Sequence, residues 1–333
     1  MIKKIIRYFP TFLSFIFHFN PIIAIKIFAY PVVWHNKPLY DQYAYKHKVI
    51  KQYLKKKFSG IISSFEGRTQ EVDPSFAENY PIWLLRWDGE DAMPPVVKAC
   101  FQTVKKFSNG HTINLITKDN YHNFITLPDY IIKKIKNKKL SITHLSDIIR
   151  MCLLFEHGGL WLDSTVLLTK PLPPLPDICS HLGFWTPKDD GEILETCFGA
   201  KNWIIREGRW LSFCLYSSKH NILPEFVRAL YLAYVKKNNV FIDYFIVDYF
   251  ISIAYDTLPE IRKMIDSVPE NNPKVHEIHH RLNPSSEYDK AKFDDICSNT
   301  YFHKLNSKDK YELYTETGKL TNYGFIINIF SQS

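Results

Sequence analysis

The sequence lacks the motifs that identify several large classes of enzyme. Its 333 residues contain no P-loop, no GxGxxG and no GxSxG, which disfavours kinase, dinucleotide-dependent dehydrogenase and esterase functions. It has six cysteines, none of them in a CxxC pair. Most of these cysteines have apolar neighbours in the sequence, so we expect reduced, buried thiols rather than disulfides or a zinc site.

The apolar N-terminal segment lacks the long uninterrupted run of a transmembrane helix. Residues 7–33 are rich in Phe and Ile, but Pro10, Pro21 and Pro31 interrupt them, whereas a spanning helix needs about 20 consecutive apolar residues. The tripeptide Phe-Ala-Tyr at 28–30 is a poor cleavage site for a secretory signal. Two interpretations stay open for this segment: an anchor in the membrane interface, or a pair of helices packed on the rest of the chain.

Positive charge is concentrated in the same region. The total formal charge is +8; residues 1–60 contain eleven Lys and Arg and one acid, Asp41, so they carry +10 and the remainder carries −2. This asymmetry indicates an anionic partner. The abundant Phe and Ile favour lipid over nucleic acid, and each basic residue near an anionic leaflet contributes about 1 kcal/mol. We therefore expect residues 1–70 to form a basic helical arm, peripheral on the cytoplasmic face of the plasma membrane.

Hydrophobic patterning after residue 70 predicts strands that alternate with helices, which indicates an α/β sheet. The expected strands are 80–86, 111–117 and 160–162, with two more near 182–186 and 196–200. Pro94 and Pro95 predict a helix that continues to about residue 107. The clearest helix is 141–157, and helices are expected to dominate from about 204 to 264.

One ordered group of polar residues stands out in this pattern. Asp147 and Arg150 are three residues apart and therefore share a helix face. Gly158 and Gly159 end that helix, and the next strand carries Asp163 to a carboxyl edge, where open α/β sheets bind ligands. Two acids and a guanidinium suit the hydroxyls and diphosphate of a nucleotide sugar. The alternative is a surface ion pair followed by a turn aspartate.

These residues carry a family resemblance. The motif SDIIR at 146–150, followed by LFEHGGLWLDSTV at 154–166, resembles the signature of capsular polysaccharide synthesis proteins. They are relatives of the family 32 glycosyltransferases with a sugar-binding DXD region and, more distantly, of clostridial glucosylating toxins. The similarity covers about residues 79–310 and includes 81–100, 241–250 and 301–308. It implies that residues 71–333 form a GT-A glycosyltransferase domain with a Rossmann-like nucleotide-binding sheet.

The resemblance also implies an activity. It suggests transfer of a hexose from a nucleotide sugar, with UDP as the expected nucleotide, to a polyprenyl-diphosphate-linked glycan, with retention of anomeric configuration. A lipopolysaccharide-core or protein acceptor is the alternative for the same fold. A different class of function is a catalytically silent scaffold of a capsule assembly complex.

Individual roles follow from the resemblance. Trp87 would stack on the nucleobase, and Trp83, inside the strand, is the expected core residue. Asp147 and Arg150 would bind the donor, with Arg150 also reaching the diphosphate. Trp161 would flank the donor. Asp163 would be the first acid of the Asp-x-Asp motif, and the expected catalytic residues are Asp163, Arg150 and Lys304.

The motif departs from the family pattern at Thr165, which occupies the place of the second Asp. A divalent Mn²⁺ or Mg²⁺ would then be bound by Asp163 with water, or be dispensable, because hard cations prefer carboxylate oxygens. His303 is expected as the second metal ligand and Lys304 as the neutraliser of the leaving diphosphate. The alternative for both is an exposed basic pair.

Two acids near residues 241–250 are candidates for the acceptor side. Asp243 and Asp248 are expected in one helix, where a five-residue separation places them about 140° apart. One would therefore face the acceptor and the other the solvent.

Overall fold

The structure, a computed structural model, describes residues 2–33, 37, 39–70, 79–172, 205, 209–269, 271–280, 282–308 and 310–331. The helices are α1 Ile2–His18, α2 Pro21–Val33, α3 Leu39–Lys57, α4 Ser59–Ser63, α5 Pro95–Phe107, α6 Asp129–Lys136, α7 Ile142–Glu156, α8 Ile222–Lys237, α9 Ile246–Thr257, α10 Pro259–Asp266, α11 Glu277–His280, α12 Lys290–Ser298 and α13 Asn322–Ser331. The strands are β1 Ile82–Leu85, β2 Ile113–Ile116, β3 Gly159–Leu162, β4 Val166–Leu168, β5 Cys214–Ser217 and β6 Phe302–Lys304.

Four strands form a mixed sheet in the order β2-β1-β3-β5. The first three strands are parallel and β5 is antiparallel to β3. Alternate residues of β1 enter different cores: Trp83 and Leu85 pack with α7 and α8, whereas Ile82 and Leu84 pack against Phe101 of α5. Apolar side chains extend from both faces of the sheet, and helices cover both faces. This arrangement confirms the predicted α/β class.

The element predictions are confirmed where the pattern was strong. The helix at 95–107 has its predicted bounds, and the helix at 142–156 is capped by Ser141, whose hydroxyl accepts from the His144 amide at 3.2 Å. The predicted strands at 80–86 and 111–117 each form over four residues. Strand β5 was missed, because its four residues have no alternation and pair only with distant β3. The strands predicted at 182–186 and 196–200 lie outside the described residues.

The N-terminal arm shares a core with the rest of the chain. Phe15, Ala24 and Ile27 are buried in the same apolar cluster as Ile50 of α3 and residues of α7, α8 and α9. The structure therefore shows the packed helical pair for this segment. None of the helices that the structure describes has the length and apolar character needed to cross a bilayer.

A glycine pair joins α7 to β3. Both Gly158 (φ 66°) and Gly159 (φ 104°) have positive φ, as predicted for the end of the helix. A Cβ on Gly159 would lie 2.2 Å from the carbonyl oxygen of Pro81, which accepts the Leu160 amide at 2.9 Å. Gly159 is therefore the residue that lets β3 approach the chain entering β1.

Gly159→Ala is expected to destabilise the protein far more than Gly318→Ala. Gly318 also has positive φ (78°), but its Cβ would have no atom within 4 Å. Both variants incur backbone strain of about 1–3 kcal/mol, and Gly159→Ala must also displace the backbone of Pro81. Urea unfolding should show a difference of at least about 2 kcal/mol between them; equal losses would contradict the close approach.

Candidate functional site

The carboxyl ends of β1 and β3 meet at one edge of the sheet. The register pairs Ile82 with Leu160, so Asp163, directly after β3, lies level with the end of β1. Trp87 follows β1 at the same edge. Its ring is half-buried and stacks on Tyr121 with centroids 5.6 Å apart. Asp163 thus lies at a carboxyl edge of the sheet, as predicted, and the Trp87–Tyr121 pair lies at the same edge.

Arg150 connects the two predicted acids. Its Nη1 donates to Asp147 Oδ1 and its Nη2 to Asp163 Oδ1, both at 3.0 Å. The guanidinium lies 4.9 Å from the centre of the Trp161 ring. Only 4% of the Arg150 side chain is exposed. Arg150 therefore acts through Asp163, as a positioning residue, rather than by direct contact with an open pocket.

Asp147 is enclosed on its other side by a residue that the sequence did not reveal. The Tyr231 hydroxyl donates a hydrogen bond to Asp147 Oδ2 at 3.0 Å. Burial raises the pKa of Asp147 to about 7, although Arg150 and Tyr231 both favour the carboxylate. Asp147 and Arg150 are therefore both buried beneath Asp163 in the core. This differs from the expectation that they contact the donor directly.

Lys304 approaches Asp163 from the opposite side. Its Nζ donates to Asp163 Oδ2 at 2.9 Å and to the Thr165 hydroxyl at 2.7 Å. Burial acts to raise the pKa of Asp163, but Lys304 and Arg150 outweigh it, and the pKa lies below its ordinary value. Asp163 and Lys304 keep 29% and 24% of their side chains exposed. These two groups are therefore the charged pair that a ligand can reach.

The two tryptophans near β1 and the one in β3 differ in role. Trp83 is buried and donates its Nε1 to the Gly158 carbonyl at 2.7 Å, which confirms it as a core residue. Trp161, expected to flank the donor, is instead only 1% exposed. Its Nε1 donates to Asp163 Oδ1 at 3.0 Å. Trp161 therefore supports Asp163 from within the core, and Trp87 is the one of the three with open surface.

His303 does not reach the acidic site. Adjacent residues of a strand point to opposite faces, and Lys304 is the residue of β6 that faces Asp163. His303 is fully buried, with its Nε2 3.3 Å from the Thr169 hydroxyl. Burial lowers its pKa to about 3. His303 is therefore not placed as the expected second metal ligand beside Asp163. It is also not part of an exposed basic pair, because its side chain is buried.

The two acids assigned to the acceptor side are both engaged within the protein. Asp243 precedes α9 instead of lying in it; it forms an ion pair with Lys46 at 2.6 Å and accepts the Phe245 amide. Asp248 is 2% exposed and accepts from Trp210 Nε1 at 3.1 Å. The prediction that both acids lie in one helix, with one of them facing the solvent, is wrong. The helix begins at Ile246, after Asp243, and both carboxylates have partners within the protein.

Tyr244 is a second residue that sequence reasoning did not assign. It is 56% exposed. Its ring packs edge to face against the His144 ring, with centroids 5.8 Å apart, which places it about one helical turn before Asp147 in α7. Partial burial raises the pKa of its hydroxyl. Residues 241–250 were recognised as a family landmark, but nothing in their spacing distinguished Tyr244 from the neighbouring aromatic residues.

The residues at the site do not fit a divalent metal. Asp163 Oδ1 already accepts from Arg150 and Trp161, and Asp163 Oδ2 accepts from Lys304. The position of the second acid is Thr165, whose hydroxyl also accepts from Lys304. Within the part of the chain that the structure describes, no three His, Cys, Asp or Glu side chains are grouped to hold a metal ion.

Replacement of Asp147 by Asn should change the pH dependence of stability. Burial raises the pKa of Asp147 from its ordinary value of 3.8 to about 7 in the folded protein, so the unfolded chain releases this proton at lower pH. The contribution of Asp147 is therefore lost as pH rises from about 4 to 7. Asn does not titrate, so the unfolding free energy of Asp147→Asn relative to wild type should rise by about 1–4 kcal/mol over that window.

Denaturant unfolding at several pH values between 4 and 7.5 measures this difference, whatever constant offset the amide introduces. Asp119→Asn, at an exposed loop acid, is the control and should leave the slope unchanged. Parallel curves for wild type and Asp147→Asn would contradict the raised pKa.

Comparison with known proteins identifies the family. A family model described as "Capsular polysaccharide synthesis protein" matches residues 31–323. The match covers most of the chain, so the chain belongs to this family. It begins well before residue 79, where the similarity was expected to start, and therefore includes α3 and α4 of the arm. No curated protein matches the chain. Membership indicates a role in capsular polysaccharide biosynthesis.

Proposed function

We propose that this member of the capsular polysaccharide synthesis family is a GT-A-type glycosyltransferase. It transfers a hexose from a UDP-linked donor to a polyprenyl-diphosphate-linked glycan, with retention of configuration. One observation carries the proposal: Asp163 lies between two cationic side chains at the carboxyl edge of parallel strands, beside an aromatic pair. Ligands of open α/β sheets bind at this edge.

The reachable groups suit the parts of a nucleotide sugar. The Trp87 ring offers a flat surface on which a base can stack. The Lys304 ammonium can donate to diphosphate oxygens, and the Asp163 carboxylate accepts from hydroxyls of the sugar or ribose. Tyr244 is exposed and packs on His144, in the same helix as Asp147, so its ring is available to contact the hexose or the acceptor.

Transfer would proceed on one face of the sugar. The bond between the anomeric carbon and the diphosphate oxygen breaks, the acceptor hydroxyl oxygen bonds to that carbon, and its proton passes to the leaving diphosphate. Lys304 stabilises the negative charge that develops on the diphosphate. Arg150, Asp147 and Trp161 hold Asp163 in position and touch no reacting atom.

Two alternatives remain, each with a distinct outcome. A lipopolysaccharide-core or protein acceptor would keep donor binding and change only the product. A catalytically silent scaffold, motivated by Thr165, would neither bind nor hydrolyse a nucleotide sugar. The paired charges of Asp163 and Lys304 favour an enzyme, because a scaffold has no need of a partly exposed acid between two cations.

Calorimetry should show tighter binding of UDP than of GDP or CMP. Trp87→Ala should weaken UDP about 5- to 100-fold, because a stacked base contributes about 1–3 kcal/mol. Tyr314→Ala removes an exposed aromatic ring outside the site and should leave binding unchanged. Tighter binding of GDP or CMP, or an equal effect of both variants, would contradict this donor site.

The outer face of the arm supports a position at the inner face of the plasma membrane. Phe9, Leu13 and Phe17 recur every four residues along α1 and are exposed, with Phe17 at 82%. Ile22 and Ile25 are exposed on α2. An apolar stripe that the described residues leave exposed suits the acyl boundary of a bilayer.

Basic residues accompany this stripe. Lys26 is exposed on α2, and the sequence has Lys3, Lys4 and Arg7 shortly before Phe9. Their charge complements an anionic leaflet, at about 1 kcal/mol for each residue near the surface. We propose that the arm holds the enzyme where a lipid-linked acceptor is displayed.

Vesicle sedimentation tests the arm without removing it, since deletion would expose the shared core. The double variant Phe9→Ser/Phe17→Ser should bind vesicles containing phosphatidylglycerol at least about tenfold more weakly, because two exposed rings no longer insert. Leu313→Ser/Tyr314→Ser, at exposed residues elsewhere, is the matched control. Equal binding by both pairs, or no preference for anionic vesicles, would contradict a lipid-facing arm.

A further inference from the structure

The cation beside the first acid of the motif is supplied by the chain itself. In an Asp-x-Asp motif, two carboxylates flank a divalent ion. Here the Lys304 ammonium contacts both corresponding positions, at 2.9 Å from Asp163 Oδ2 and 2.7 Å from the Thr165 hydroxyl oxygen. A metal ion bound by these two residues would have to displace it.

Backbone pairing fixes Lys304 at this position. Strand β6 pairs with β4 so that Lys304 lies opposite Val166, the residue after Thr165. The Leu305 amide donates to the Thr165 carbonyl at 2.9 Å, and the Lys304 amide donates to Val275 at 2.8 Å. Backbone hydrogen bonds on both sides of Lys304 therefore fix the position of its Cα at the site. A lysine on an unpaired loop would have no such constraint.

The formal charge of the site is conserved by this arrangement. Two carboxylates with a divalent cation sum to zero, and so do one carboxylate and one ammonium. Thr165 removes one negative charge relative to Asp-x-Asp, and Lys304 supplies one positive charge in place of two. The two differences therefore compensate each other in formal charge. A neutral hydroxyl also binds the ammonium less firmly than a carboxylate would. An ammonium has three N–H donors. Among the residues that the structure describes, Asp163 and Thr165 accept from two of them, which leaves one for a ligand oxygen.

We infer that Lys304 takes the place of the divalent metal at this site and binds the diphosphate of the donor without one. This inference rests on the proposed nucleotide-sugar function. Asp163 then serves to hold the ammonium and to accept from ligand hydroxyls, and Thr165 serves as its neutral second anchor.

Inorganic pyrophosphate is the probe that isolates the diphosphate. In EDTA, the full-length protein should bind pyrophosphate, and Lys304→Met should weaken binding about 10- to 100-fold, as expected for loss of a charged hydrogen bond. Lys304→Arg should restore part of it. Lys319→Met, at an exposed lysine of the C-terminal region, is the matched control. Asp163 keeps Arg150 in the variant, so the fold should survive; a thermal melt checks this.

Manganese titration gives a second readout. The double variant Thr165→Asp/Lys304→Met has two carboxylates and no ammonium at this position. Electron paramagnetic resonance should show that it binds Mn²⁺ and that wild type does not. Pyrophosphate binding by wild type that requires Mn²⁺, that is absent altogether, or that ignores Lys304→Met would overturn the inference. Failure of the double variant to bind Mn²⁺ would also count against it.

Nucleotide binding separates this inference from the proposed function. Metal-free binding of pyrophosphate without binding of any nucleotide would leave the role of Lys304 standing and defeat the donor assignment. Binding of UDP only in the presence of Mn²⁺ would support the donor assignment and defeat the metal-free role.

Discussion

The Arg150 guanidinium joins two carboxylates that belong to different elements, Asp147 in α7 and Asp163 after β3. The orientation of the accessible acid, Asp163, depends on this contact. Removal of a buried ionic partner typically costs about 3–5 kcal/mol, because it leaves a buried charge without compensation. The guanidinium therefore fixes the direction of Asp163, and the position of Asp163 in turn provides the acceptor for Lys304.

The arm contributes to stability as well as to the outer surface. Lys46 pairs with Asp243, and Lys51 and Lys55 both lie 2.9 Å from Asp256. Part of the positive charge that the sequence assigns to residues 1–60 is thus neutralised inside the protein and is not presented to lipid. Charge asymmetry along a sequence does not distinguish internal pairing from an external surface, since the acidic partners lie some 200 positions away.

Local signals predicted the elements around the site well. A capping serine, helical spacing and two glycines were sufficient for the helix at 142–156 and the turn after it, and Asp163 follows the next strand as expected. Long-range packing decided the rest. Tyr231 reaches Asp147 across 84 positions, and nothing in its neighbourhood marks it. The burial of His303 and Trp161 depends on which face of a strand the core covers, which a three- or four-residue strand does not reveal.

The pairing of β4 with β6 has a consequence for the order of folding. Lys304 and Asp163 are 141 positions apart, so the ribosome releases the acid, its guanidinium partner and the parallel strands long before the lysine emerges. Contacts of such separation form late, because closure of a long loop precedes any gain in contact energy. During synthesis the chain would hold Asp163 with Arg150 alone, and the second cation would join the site only after residue 304 has emerged.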